Sequence, residues 1–130
     1  MTTRAKISTK GFEEYLEKLV QAGRDVDQDI HRALDAGADV AVEGMQRRVR
    51  KDTHNLEQHI KKTEVRQEGN YSYIEIGVLD ADAETARYGN AQEYGTSSMP
   101  AQPYIRPTMK SDAGKIKKAM KNSLIEDGTL

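Results

Sequence analysis

The side chains best able to do chemistry in this sequence stand in a few groups, and each group lacks a member that its chemistry needs. Asp80-Ala81-Asp82-Ala83-Glu84 opens with the ligand spacing of a calcium loop. Such a loop needs glycine at its sixth position and a bidentate glutamate at its twelfth; Thr85 and Ala91 stand there. A solvated acidic loop is the simpler reading. His54 and His59 lie near Asp52 and Glu57, with His31 as the remaining imidazole. No motif ties the three into a zinc site, which takes its ligands in a fixed tetrahedral set. There is no cysteine, which removes thiolate metal sites, a thiol nucleophile and disulfides. Ser97-Ser98 has no neighbouring residue that reads as a base and no nucleophile-elbow pattern around it. Gly114-Lys115 lacks the preceding glycine-rich loop of a phosphate cradle. Arg47, Arg48, Arg50 and Lys51 form a basic knot able to touch phosphates, but no aromatic residues are interleaved to stack on bases. The sequence thus nominates no catalytic residue, no cofactor and no metal ligand, and direct DNA contact is the weaker reading of the knot.

The elements that position these residues follow from periodicity. The 130 residues suffice for one domain with a modest core. We take residues 1–130 as that domain, with a structured core over 11–125 and a tail at 126–130. With 36% hydrophobic and 32% charged residues, the core must be thin and a partner has surface to cover. Tyrosine supplies most of the aromatic load, which suits surfaces dry on one side and wet on the other. Ala5 to Ser8 reads as a short leading strand. A helix opens after Gly11, with Phe12, Tyr15, Leu16 and Leu19 on one face, and stops near Gly23. A longer helix runs from about Asp25 to Arg50 on the stripe Val26, Ile30, Leu34, Ala38, Ala41, Met45 and Val49. About 25 residues make a rod of roughly 37 Å. Gly37 and Gly44 inside it each cost about 1 kcal/mol against alanine, so close backbone packing is expected at both.

A polar loop, Lys51 to Asn55, precedes a hairpin with arms Leu56–Gln67 and Tyr71–Leu79 about a Gly69-Asn70 turn. The second arm alternates, with Ile74, Ile76 and Val78 one way and Tyr73, Glu75 and Gly77 the other. The first arm has only Ile60 and Val65 among charges and reads as an edge, or as a strand that pairs on assembly. Asp80 to Tyr88 is small and acidic and reads as a mobile loop. Ala91 to Tyr94 reads as a further short strand. Pro103 and Pro107 fit a last helix that starts at Pro107 or Thr108 and carries Met109, Ile116, Met120 and Leu124 on one side. The expected class is α+β: a small antiparallel sheet with a long helix, a short N-terminal helix and a C-terminal helix packed on it.

Charge is uneven. Acids dominate from Asp25 to Glu43, and Lys110, Lys115, Lys117, Lys118 and Lys121 face only Asp112. Helix dipoles favour such a distribution; so do opposed faces on which like subunits dock. A net charge of -1 exerts no global pull on nucleic acid. No apolar run approaches the ~20 residues of a membrane helix. Met1 to Lys10 lacks a signal-peptide core. With no cysteine, assembly in reducing cytoplasm is expected.

One segment is distinctive: Glu93-Tyr94-Gly95-Thr96-Ser97-Ser98-Met99-Pro100-Ala101-Gln102-Pro103-Tyr104-Ile105-Arg106-Pro107. Gly95 permits a positive-φ turn, and the three prolines stiffen the chain beyond it. Tyr104 and Ile105 can anchor this strap to the core. The segment resembles the signature of a family of tailed-phage neck and tail proteins, those like the tenth gene product of the lambdoid siphophages. In that family an acid-aromatic-Gly-Thr run leads to small-Gln-Pro-aromatic-hydrophobic-Arg-Pro and a C-terminal helix. Gly11-Phe12-Glu13, the long helix with its basic end and Asp52-Thr53-His54-Asn55-Leu56 agree with it, so the likeness spans about Gly11 to Leu124. His54 departs from the usual Gly, Lys51 from a Pro, and Tyr88-Gly89-Asn90-Ala91-Gln92 from the usual Tyr-Ala-x-x-Val.

The resemblance implies a structural, non-enzymatic virion protein that completes the tail or joins it to the head. It implies a ring, commonly of six copies, between the connector or stopper of the head and the tail tube. It brings no catalytic residues, and with no long apolar run no membrane partner is expected. The contact residues carried over are Asp52, Thr53 and Leu56 in the loop, with Glu93, Tyr94, Gly95, Thr96, Pro103, Tyr104, Arg106 and Pro107 in the strap. For Tyr104, packing within its own subunit is an equal alternative. A minor-tail or tail-tube component, and a cytoplasmic nucleic-acid-binding module built on Arg47 to Lys51, are the rival readings.

Overall fold

An alternating strand is stable when one face is covered and both edges are paired. The computed structural model describes residues 4–49, 55–69 and 71–125. In it the chain forms β1 (Arg4–Ser8), α1 (Glu13–Gln21), α2 (Val26–Arg48), a helical turn α3 (Asn55–Gln58), β2 (Ile60–Lys62), β3 (Arg66–Glu68), β4 (Tyr71–Val78), α4 (Ala83–Tyr94), α5 (Ile105–Ser111) and α6 (Ala113–Ile125). Strand β4 is the centre of an antiparallel sheet and pairs with β1 on one edge and with β2 and β3 on the other. Strand β1 precedes the core boundary expected at residue 11 and is a full member of the sheet. The class is α+β.

The alternation of β4 sorts its two faces as expected. Ile74 and Ile76 are fully buried, with Ile7 and Ile60 beside them. On the outer face the Lys6 ammonium lies 4.3 Å from the Tyr73 ring centre and pairs with Glu68 at 2.8 Å. Arg66 and Arg4 approach Glu75 at 3.2 and 3.6 Å. The first hairpin arm is broken in two. Ile60 pairs with Val78 and Lys62 with Ile76, but Arg66 pairs with Tyr73, so this arm carries one more residue than β4 between the ladders. That is a bulge. Thr63 accommodates it, donating its N–H to the Glu75 carbonyl at 2.8 Å while its hydroxyl accepts the Glu75 N–H at 3.0 Å.

Helix α2 covers the inner face of the sheet. Leu34, Ala38, Ala41 and Met45 have no exposed surface, as their stripe required. Asp25 caps the helix by accepting the Asp27 N–H at 3.1 Å. Asp29 is buried in its first turn and held by Arg24 at 2.8 Å and by Arg32. The last helix differs from expectation in two ways. It starts at Ile105, with Pro107 inside the first turn, and it breaks at Asp112 into α5 and α6. Helix α6 then lies along α2 rather than directly on the strands. Gly37 and Gly44 are the reason it can: a Cβ on Gly37 would stand 2.7 Å from Met120 Cγ, and one on Gly44 2.5 Å from Asp112 Oδ2 and 2.8 Å from Thr108 Cγ2. Gly44→Ala is therefore expected to lower stability by a net ~1–2 kcal/mol in urea denaturation, overpacking outweighing the gain in helix propensity. Unchanged or raised stability would mean that the α5–α6 junction does not seat on Gly44.

The larger departure lies between β4 and the strap. Of the segment read as a mobile loop at residues 80–88 and a strand at 91–94, everything from Ala83 on is one helix, α4. Its inner face is Thr85, Gly89, Gln92 and Glu93, at helical spacing but without an apolar side chain. A search for apolar periodicity passes over such a helix. Residues 1–3, Arg50, Lys51, Asp52, Thr53, His54, Asn70 and the tail at 126–130 lie outside the described residues.

Candidate assembly surface

A helix that begins without a capping side chain leaves its first N–H groups short of acceptors. Helix α5 is one, since Tyr104 stands at its N-cap and offers no side-chain cap. The acceptor comes from α4. Glu93, with no exposed surface, accepts the N–H of Tyr104 at 2.9 Å and of Ile105 at 2.7 Å on Oε1. Its Oε2 accepts the N–H of Arg106 at 3.0 Å and Arg106 Nε at 2.9 Å. The Arg106 guanidinium also donates to the Glu93 carbonyl. Burial pushes the Glu93 pKa up, but the N–H groups of Ile105, Tyr104 and Arg106 and the guanidinium outweigh it, and the carboxyl sits below its ordinary range.

The same residues anchor Tyr104. Its side chain is wholly buried and its hydroxyl donates to the Gly89 carbonyl at 3.0 Å, while its own carbonyl accepts the Thr108 hydroxyl at 2.6 Å. Burial raises the phenol pKa far above its usual value. Residues 95–103 between these clamps are the free span of the strap. Gly95 turns it with φ +77, and a Cβ there would stand 2.8 Å from the Ala101 N and 3.0 Å from the Met99 O. Thr96 and Met99 pair across the turn, and the Gln102 N–H donates to the Gln92 carbonyl at 2.7 Å. Thr96 to Ser98 and Pro100 to Gln102 remain outward, together with Tyr94 and Arg106, whose guanidinium lies 5.1 Å from the Tyr94 ring centre.

The structure thus brings Glu93, Tyr94, Gly95, Tyr104 and Arg106 into one latch. It separates their roles: Glu93 and Tyr104 face inward, while Tyr94, Thr96 and Arg106 face outward. Pro103 and Pro107 are half-buried. Leu56 is a core residue, and a Cβ on Gly89 would come within 2.9 Å of it. Asp52 and Thr53 fall outside the described residues. Glu93 was placed in the motif by sequence but not in its role as the cap of a distant helix. The available signal was the α5 start itself, Pro103-Tyr104-Ile105-Arg106, which has no Ser, Thr, Asp or Asn to cap it.

The other chemical candidates have structural occupations. Asp82 caps α4, accepting the Thr85 N–H at 3.2 Å and the Thr85 hydroxyl at 2.6 Å. His59 Nδ1 lies 2.9 Å from the Asn55 carbonyl. Arg48 and Arg47 of the basic knot reach Asp112 at 2.8 and 3.2 Å. Asp112 is nearly buried, and its carboxyl is held below the usual range chiefly by hydrogen bonding to Arg48. Ser97 and Ser98 are exposed in the strap. Among the described residues no three His, Asp or Glu side chains are grouped to hold a metal, and no helix is long and apolar enough to cross a membrane. The arrangement is a strap held at both ends by hydrogen bonds and exposed between them.

Comparison with known proteins adds one finding. A family profile described as "Bacteriophage HK97-gp10, putative tail-component" matches residues 10–95, from the turn before α1 to the glycine that opens the strap. No curated protein and no solved structure matches.

Proposed function

Because the chain belongs to the HK97-gp10-like family of bacteriophage tail components, we propose that it completes the tail at its head-proximal end, as a ring of six copies that joins the tail tube to the connector or stopper of the head. A structural role in a phage tail, within the virion, is the family's own; the ring, the joining role and cytoplasmic assembly are our reading. The observation that carries it is the strap. It is clamped at both ends by buried hydrogen bonds, yet it presents Tyr94, Arg106 and a polar rim to the outside. A preorganised edge of this kind loses little entropy on docking, and Tyr and Arg are the residue types that most often carry interface energy. Strap and hairpin would then face neighbouring rings. Arg48 is drawn inward to Asp112, which leaves the nucleic-acid reading of the basic knot with less to stand on.

Complementation of a knockout tests this reading. Tyr94→Ala alone and Tyr94→Ala with Thr96→Ala, which both replace exposed side chains and leave the Glu93–Arg106 latch whole, should keep a native circular dichroism spectrum. The double variant should yield filled heads beside free, complete tails. Normal infectious particles from the double variant would sink the strap's part in joining. Tails that are missing or of abnormal length in the knockout would instead favour a minor-tail or tube position.

A further inference from the structure

The α2–α6 pair carries opposite charge on its two outer sides. On α2, Gly37 marks the line that faces α6, since a Cβ there would meet Met120 and Ile116. Asp35 and Asp39 each stand two residues from Gly37, which is about 200° around a helix and so close to the opposite side. Glu43 continues their stripe one turn on and is exposed. On α6, Ile116 and Met120 face α2. Lys118 stands two residues from both, again close to the opposite side, and Lys115, Lys117 and Lys121 flank it, all exposed.

Among the described residues neither side is fully neutralised by its own subunit. From Ile105 to Ile125 the only acid is Asp112, and it is turned inward onto Arg48 and Arg47. None of the four α6 lysines makes an ion pair among the described residues; Lys121 instead lies 5.7 Å from the Tyr15 ring centre. On the acidic side Lys62 reaches both Asp39 at 2.8 Å and Asp35 at 3.5 Å, and Glu43 is exposed beyond them.

We propose that the lysine side of α6 docks on the acidic side of α2 of a second copy of this chain, and that this head-to-tail contact closes the ring laterally. The inference deepens the ring reading above and rests on it. Two different patches on opposite sides of one subunit are what a heterologous contact requires, and such contacts close into rings when the rotation allows. Complementary charge supplies orientation and rejects the mismatched pairings of like face to like face. The strap and hairpin are left available for the rings above and below.

The test is sedimentation velocity of the full chain across concentration and salt. Wild type should associate, and 0.5 M salt should weaken association, since exposed pairs are screened within a few ångströms at that strength. Lys115→Glu with Lys118→Glu and Lys121→Glu should weaken association by roughly tenfold or more, equivalent to about 1.4 kcal/mol. Asp39→Lys with Glu43→Lys should do the same, each variant keeping its helical circular dichroism. Mixing the two charge-reversed proteins should restore assembly between unlike partners. A wild type that is monomeric throughout would overturn the ring reading and the docking together. Association that survives both reversals would overturn only the assignment to these faces. Retention of a short DNA duplex that is lost in the lysine variant, with self-association unaltered, would make the α6 face a phosphate contact and the docking wrong.

Discussion

Glu93→Ala should be the most damaging single change in the strap, lowering folding stability by about 3–5 kcal/mol in chemical denaturation, the usual cost of removing one partner from a buried charged pair. The wild-type carboxylate has no exposed surface and accepts three consecutive backbone N–H groups and Arg106 Nε. Removing it leaves buried donors without acceptors, the expensive half of the hydrogen-bond asymmetry. Since a domain of this size holds roughly 5–15 kcal/mol in total, the loss is a large fraction of it. Glu93→Gln should be nearly as harmful, because its amide places a donor where Arg106 also donates. Titration separates this role from simple packing. The Glu93 pKa is lower in the folded chain than its ordinary 4.5. Its ionised form therefore contributes stability above that ordinary value, and the contribution is lost as pH falls through the lower, folded value. The stability gap between wild type and Glu93→Gln should thus be full at neutral pH and shrink below about pH 4.5. A gap that stays constant with pH would mean that the charge of Glu93 does not hold the latch.

Ile76→Asp should abolish the folded state altogether. Ile76 lies at the centre of β4, between Ala5 and Lys62 across the two ladders, and has no exposed surface. The substitution removes about 1.5–3 kcal/mol of apolar burial. It also places an unpaired carboxylate in the core, at a further cost of several kcal/mol. The sum approaches the whole stability of the domain. Ile76→Val should cost only about 0.5–1.5 kcal/mol. Glu75→Gln, one residue away on the outer face, should cost less than about 1 kcal/mol, since its arginine pairs are partly exposed. Thermal melts followed by circular dichroism distinguish these outcomes. A cooperative wild-type melt from Ile76→Asp would mean that the β4 faces are assigned the wrong way round.

These two positions also mark the boundary between what local sequence and what tertiary structure decided. Sequence by itself determined β1, α1, α2, the faces of β4 and the α+β class, because each rests on apolar residues repeating at the period of its own backbone. It also determined that Gly37 and Gly44 needed a reason, and it isolated the run from Glu93 to Pro107 as the segment that distinguishes this chain. Tertiary structure alone decided α4, whose inner face of Thr85, Gly89, Gln92 and Glu93 has no hydrophobic period. The helix-favouring run from Ala83 to Arg87 behind the Asp82 cap is the only local hint of it, and small and acidic residues surround that run. The break of the first hairpin arm at Thr63, and of the last helix at Asp112, depend on partners as distant as Glu75 and Arg48. A buried polar side chain is stable only where its partners arrive, and for Glu93 those partners are the N–H groups of a helix that starts at Ile105, beyond the strap. Apolar burial repeats along the chain and can be read there; a buried hydrogen-bonded carboxylate is specified by geometry that exists only once the chain has folded.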